Sequence, residues 1–114
     1  MTKTIFEKII EGELPAQKVY EDENILVIED KYPKAPVHLL LIPKKPIPNI
    51  GALQEGDFLL LGEIFRVAQK IASEKELDEK GGYRLLVNNG PNAGQTIAHL
   101  HFHLLGGRPL GAMG

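Results

Sequence analysis

Three histidines stand at every second position in the stretch His99-Leu100-His101-Phe102-His103-Leu104-Leu105, and they are three of the four in the chain. In a β-strand, alternate side chains share a face. A strand here would project all three imidazoles together, with Leu100, Phe102 and Leu104 on the other side. A row of imidazoles can act as nucleophile, proton shuttle or metal ligand set.

Three readings compete for this row. The plainest is an amphipathic strand whose polar face happens to carry imidazole. A metal site is the second: His-x-His is a common ligand pair, and His38 could supply a remote third. Such sites usually recruit a carboxylate or cysteine as well, yet no acid follows Glu79 and the chain has no cysteine. Same-face neighbours in a strand lie roughly 7 Å apart, so three in a row converge on one ion with difficulty. Nucleophilic catalysis at phosphorus is the third. Neutral imidazole is a good nucleophile with an ordinary pKa near 6.5. Neighbouring imidazoles disfavour one another's protonation, which keeps a central ring neutral. The outer rings can donate protons or hydrogen bonds to phosphate oxygens and a leaving group. The preceding Gly90-Pro91-Asn92-Ala93-Gly94-Gln95-Thr96 suits an anion, because glycines let backbone amides approach closely and Thr96 adds a hydroxyl.

The elements that must position these groups can be read from periodicity. Ile5, Phe6, Ile9 and Ile10 recur at helical spacing before Gly12, which predicts a short N-terminal helix. Val19-Tyr20 and Ile25-Leu26-Val27-Ile28 predict two strands joined by a turn over residues 21–24. Residues 31–36 form a proline-marked loop. Val37 to Ile42 is a nearly continuous apolar strand broken only by His38, and the prolines from Pro43 to Pro48 cannot continue a central strand. Over residues 55–77 the period becomes helical: Leu60, Ile64, Val67 and Ile71 form one stripe, with Leu61, Phe65, Ala68 and Ala72 beside it. That apolar face is wide enough to be shared with a second subunit or sunk in the chain's own core. Gly81-Gly82 precedes a strand over residues 83–87, then a Gly/Asn loop and the histidine strand. The expectation is a single α+β domain over residues 1–114, an antiparallel sheet of about five strands with one long helix and a short N-terminal helix.

Composition narrows the partners. Net charge is −2 with no strong basic run, which argues against a nucleic-acid surface. Lys44-Lys45 reads as a solvated loop tip. With no cysteine, disulfides and thiolate metal sites are excluded. Neither a signal-type apolar region nor a membrane-length run is present, so a cytoplasmic protein away from membranes is the simplest expectation.

The histidine stretch resembles the signature of the histidine-triad family. Ala35-Pro36-Val37-His38-Leu39-Leu40-Leu41-Ile42-Pro43-Lys44 resembles that family's upstream strand. Ile5-Phe6, Lys8-Ile9-Ile10 and Leu14-Pro15-Ala16 are similar to the start of its nucleoside-phosphoramidase branch, and Gly106-Gly107-Arg108-Pro109-Leu110 to the tail of bacterial members. The resemblance covers essentially the whole chain. It implies a homodimer with joined sheets and long helices near the twofold. It implies hydrolysis of the P–N bond of adenosine or guanosine 5′-phosphoramidates through a nucleotidyl-histidine intermediate. No cofactor is expected and no metal ligand is assigned, and a metal-dependent enzyme stands as a rival class. By the same resemblance His101 is the nucleophile, His103 contacts phosphate and leaving group, and His99 pairs with His38 to orient the site. Thr96, with the amides of Gln95 and Thr96, would hold phosphate oxygens or the departing amine. Asn88 matches a phosphate- or ribose-side asparagine, Asp30 a ribose-binding acid, and Ile5, Phe6, Ile9, Ile28 and Leu40 a base pocket.

Several positions depart from the family pattern. Thr96 stands where serine is common, Lys31 replaces a residue that is often apolar, Pro46 replaces a frequent histidine, and the chain has no tryptophan to close the site. Two further functions compatible with the resemblance are a non-enzymatic nucleotide-binding scaffold and a dinucleoside polyphosphate hydrolase.

Overall fold

A computed structural model describes residues 2–112. Helix α1 (Ile5–Ile10) begins at a reciprocal cap: the Thr4 side chain accepts from the Glu7 amide, and the Glu7 carboxylate accepts from the Thr4 amide. Strands β1 (Lys18–Glu21) and β2 (Ile25–Glu29) follow as a hairpin, with Asp22 accepting from the Asn24 and Ile25 amides in the turn. Then come β3 (Val37–Pro43), the long helix α2 (Phe58–Glu74), β4 (Tyr83–Val87) and β5 (Phe102–Gly106). The strands form one antiparallel sheet in the order β1-β2-β3-β5-β4.

The two faces of the sheet bury different sets. Ile25 and Val27, Leu39 and Leu41, and Phe102 and Leu104 pack with Ile64, Val67, Ala68 and Ile71 of α2. The alternate residues Leu26, Ile28, Leu40 and Ile42 pack with Phe6 and Ile9 of α1. The unbroken apolar runs of β2 and β3 follow from this two-sided cover. By the same alternation His38 and His103 sit on the α1 face.

The predicted elements are present, with shifted edges. Glu55–Asp57 is a separate 3-10 turn, so α2 starts at Phe58. Pro43 is the last residue of β3, where its missing amide costs least. Lys44 and Lys45 are not a free loop tip: Lys44 pairs with Glu21 at 2.7 Å, and Lys45 pairs with the buried Asp57. The largest difference concerns the histidine segment. The strand starts at Phe102, so only His103 lies in the sheet, while residues 97–99 form a bend. No helix among the described residues is long and apolar enough to cross a membrane.

Candidate active site

His38 and His103 meet across the sheet. The register pairs His38 with Leu105 and Leu40 with His103, which makes the two histidines diagonal neighbours on one face. Their rings come within hydrogen-bond reach, Nε2 of His38 to Nδ1 of His103 at 3.0 Å. The direction of this bond follows from a third group. The Lys34 amide donates to Nδ1 of His38 at 3.0 Å, so that nitrogen is an acceptor and the His38 proton sits on Nε2. His38 therefore donates to Nδ1 of His103, and the neutral His103 ring carries its own proton on Nε2.

His101 is set by its own backbone. Its Nδ1–H donates to the His99 carbonyl at 2.8 Å, which leaves Nε2 with a free lone pair. The Phe6 ring packs edge-on against it, centroids 4.8 Å apart, and the His103 ring lies 5.1 Å away between centroids. The tip of α1 thus walls one flank of the central imidazole.

The expected pairing of His99 with His38 is not formed. Antiparallel register carries His99 to the far end of β3, where it donates from Nε2 to the Pro43 carbonyl at 2.7 Å. His99 is 1 % exposed and ties the approach to β5 onto the end of β3. The partner of His38 is His103.

Burial holds the working rings neutral. His103 is pushed down to about 4, first by loss of solvation and then by its histidine neighbours. Burial also lowers His101 and His38; Asp30 opposes the shift at His38, and the nearby Lys34 reinforces it.

A cavity of about 330 Å³ opens beside these rings, and Asp30, His38, Asn88 and His103 line it together with Tyr32 and Lys34. Asp30 Oδ2 is 3.3 Å from Nε2 of His38, and its Oδ1 accepts from the Tyr32 amide. Asp30, His38 and His103 each offer an atom within 4.8 Å of the others, close enough in distance to share a cation. The proton placement opposes it: His38 uses its one lone pair on the Lys34 amide and presents N–H toward the cluster.

The other expected residues divide. Gln95 is a staple of its loop: Oε1 accepts from the Gly90 amide and Nε2 donates to the Pro48 and Ile97 carbonyls. Its own amide donates to the Gly90 carbonyl, so the expected gift of that amide to phosphate is not available in this state. A glycine is required at 94, whose φ of +96° closes the turn before it. Thr96 is exposed, and its amide and hydroxyl bond to no other described residue. Phe6, Ile9, Ile28 and Leu40 do assemble, but as one buried cluster, whereas Ile5 is exposed. Sequence reasoning missed the Lys34 amide and the Pro43 carbonyl. Both are backbone groups whose aim no side-chain pattern reports.

Comparison with known proteins fits this geometry. The HIT domain model matches residues 11–110. The chain belongs to the HIT domain family. An uncharacterized HIT-like protein of Chlamydia trachomatis is 53 % identical over 96 % of this chain and 97 % of its own length. Among solved structures, a HIT family hydrolase of Legionella pneumophila is 47 % identical with a TM-score of 0.90, over 94 % of this chain and 95 % of that one. A histidine triad nucleotide-binding protein of Candida albicans is 34 % identical with a TM-score of 0.81, over 98 % and 87 %. The HIT domain here carries all four histidines on or beside two adjacent strands.

Proposed function

We propose that this HIT protein is a homodimeric hydrolase that binds purine nucleotides and cleaves the P–N bond of nucleoside 5′-phosphoramidates. The observation that carries the proposal is the proton arrangement of the triad: a free lone pair on Nε2 of His101, 5.1 Å between ring centres from a neutral His103 whose proton is on Nε2. In the first step Nε2 of His101 bonds to the α-phosphorus and the P–N bond breaks. The departing nitrogen keeps the bonding pair, accepts a hydrogen bond from Nε2–H of His103, and takes its proton from solvent. Bond formation leaves one positive charge on the His101 ring, which already carries a proton on Nδ1. The His99 carbonyl, already accepting from Nδ1–H of His101, stabilises that cationic ring. In the second step water attacks phosphorus and loses a proton to solvent, while the P–Nε2 pair goes back to His101 and restores its neutral ring. The products are the nucleoside monophosphate and the free amine.

Asp30 and Asn88 line the cavity that His38 and His103 border, which supports ribose- and phosphate-side roles for them. The proposed base site is the apolar ground at α1, with the exposed Ile5 as its outer wall. Thr96 has an uncommitted hydroxyl and amide for a phosphate oxygen or the amine. The dimer proposal rests on the outer surface of α2 and β4. Phe58, Leu59, Phe65 and Tyr83 are exposed there, and Phe65, Gly62 and Tyr83 line a cavity of about 430 Å³.

A panel of adenosine and guanosine 5′-phosphoramidates, dinucleoside polyphosphates and AMP tests the reading. Turnover of the phosphoramidates by the wild type, lost in His101→Ala with AMP binding retained, is the expected result. Binding without turnover would instead identify a scaffold, and preference for polyphosphates would replace the P–N specificity.

A further inference from the structure

Arg108 stands outside the cavity, two residues beyond β5, yet it reaches back to the loop that orients His38. Its Nη2 donates to the Lys34 carbonyl at 2.6 Å, and its Nη1 donates to the Pro109 carbonyl at 2.8 Å. Lys34 in turn gives its amide to Nδ1 of His38. Residue 34 is therefore held at its carbonyl by the guanidinium while its amide sets the imidazole. The neighbouring Gly107 strengthens the grip. It has φ +96°, and a Cβ there would stand 3.0 Å from Cβ of Pro36, so the chain after β5 lies directly against the far end of the same loop.

The loop needs such a hold. Residues 31–36 contain only bends outside the sheet and are mostly exposed. Nothing in a free proline-marked loop obliges the Lys34 amide to aim at a ring nitrogen. If that amide swings away, Nδ1 of His38 can carry the proton instead. Nε2 of His38 then becomes an acceptor, and Nδ1 of His103 loses its donor. The His103 proton is no longer confined to the nitrogen that faces the leaving group.

We infer that Arg108 is a positioning residue: by holding Lys34 it selects the His38 tautomer, and through His38 the tautomer of His103. The inference rests on the phosphoramidase reading for its kinetic consequence, while its structural consequence stands independently. A guanidinium suits the task because it is always charged and its planar fork spans two carbonyls in fixed directions.

The test compares wild type, Arg108→Ala, Arg108→Lys and Gly107→Ala. Each is measured for kcat and KM on adenosine 5′-phosphoramidate, for thermal midpoint, and for imidazole ¹⁵N shifts of His38 and His103 near neutral pH. Arg108→Ala is expected to lower kcat roughly tenfold or more with KM nearly unchanged. It should also turn the His38 nitrogen pattern from a single tautomer into a mixture, while the thermal midpoint stays close to wild type. Arg108→Lys, which keeps one donor for the Lys34 carbonyl, should recover part of both effects. Gly107→Ala should show the same His38 mixture with Arg108 intact. A wild-type nitrogen pattern in Arg108→Ala overturns the inference, as does wild-type kcat alongside an altered pattern. If the wild type itself does not turn over the phosphoramidate, the reaction reading fails, and the nitrogen pattern alone still decides the role of Arg108.

Discussion

Replacing His38 with alanine probes the proton arrangement at its hinge. His38 is 6 % exposed and joins three groups: the Lys34 amide, Nδ1 of His103 and Asp30 Oδ2. Alanine leaves all three without this partner. Lys34 and Asp30 border a cavity, and water can replace their lost contact. Nδ1 of His103, on a half-buried ring between Leu40 and Leu86, loses the donor that confines its proton to Nε2. Where water does not take the donor's place, the acceptor left unsatisfied costs about 1–3 kcal/mol. If that cost falls on the reactive arrangement, it corresponds to roughly five- to a hundredfold or more in kcat. KM should change little, because His38 acts on the proton of His103 and not on the nucleotide. Steady-state kinetics on adenosine 5′-phosphoramidate separates the two constants, and a single-turnover experiment places the loss in the P–N cleavage step. A kcat within about twofold of wild type, or a loss confined to KM, would refute the coupling of His38 to His103.

Other expectations follow from the same geometry. Attack requires His101 unprotonated, and burial lowers its pKa, so the acid limb of kcat/KM should fall below pH ~6.5; a limb at or above neutrality would contradict the buried neutral ring. Folded His103 titrates near 4 and an unfolded histidine near ~6.5, so unfolding takes up a proton between those values. Its contribution to stability is present above pH ~6.5 and is lost on acidification toward 4, which urea melts across that window can measure. Phe6→Ala removes a buried ring that packs against His101 and should cost about 3–5 kcal/mol in urea unfolding; a loss under ~1 kcal/mol would mean that α1 does not anchor the site. Phe65→Asp places a charge on the exposed apolar face of α2, and sedimentation should show a dimer become a monomer, whereas a monomeric wild type would end the dimer proposal.

Much of this architecture could be read from residue order. The apolar run around His38 and the helical stripe of residues 55–77 each report a local period and became β3 and α2, whereas of the alternating imidazoles only His103 lies in a strand. The partner of His38 could not be read the same way. Pairing depends on the register between β3 and β5, strands separated by more than fifty residues, and that register carries His99 to Pro43 and His103 to His38. The regular spacing of the three histidines also concealed a break in conformation. His99 and His101 bond to backbone carbonyls before the strand begins, and this sets which nitrogen of His101 is free. Gln95 shows a similar limit: an amide side chain in a Gly/Asn loop can face a ligand or staple the loop, and only its three carbonyl and amide partners distinguish the two.

Covalent capture tests the central claim most directly. Brief mixing of the protein with adenosine 5′-phosphoramidate, rapid quenching under conditions that preserve phosphoramidate bonds, and peptide mass spectrometry should find one adenylyl group on His101. An adduct on His99 or His103 would contradict the assignment of the nucleophile, and substrate turnover in single-turnover samples with no adduct on any histidine would contradict the two-step chemistry.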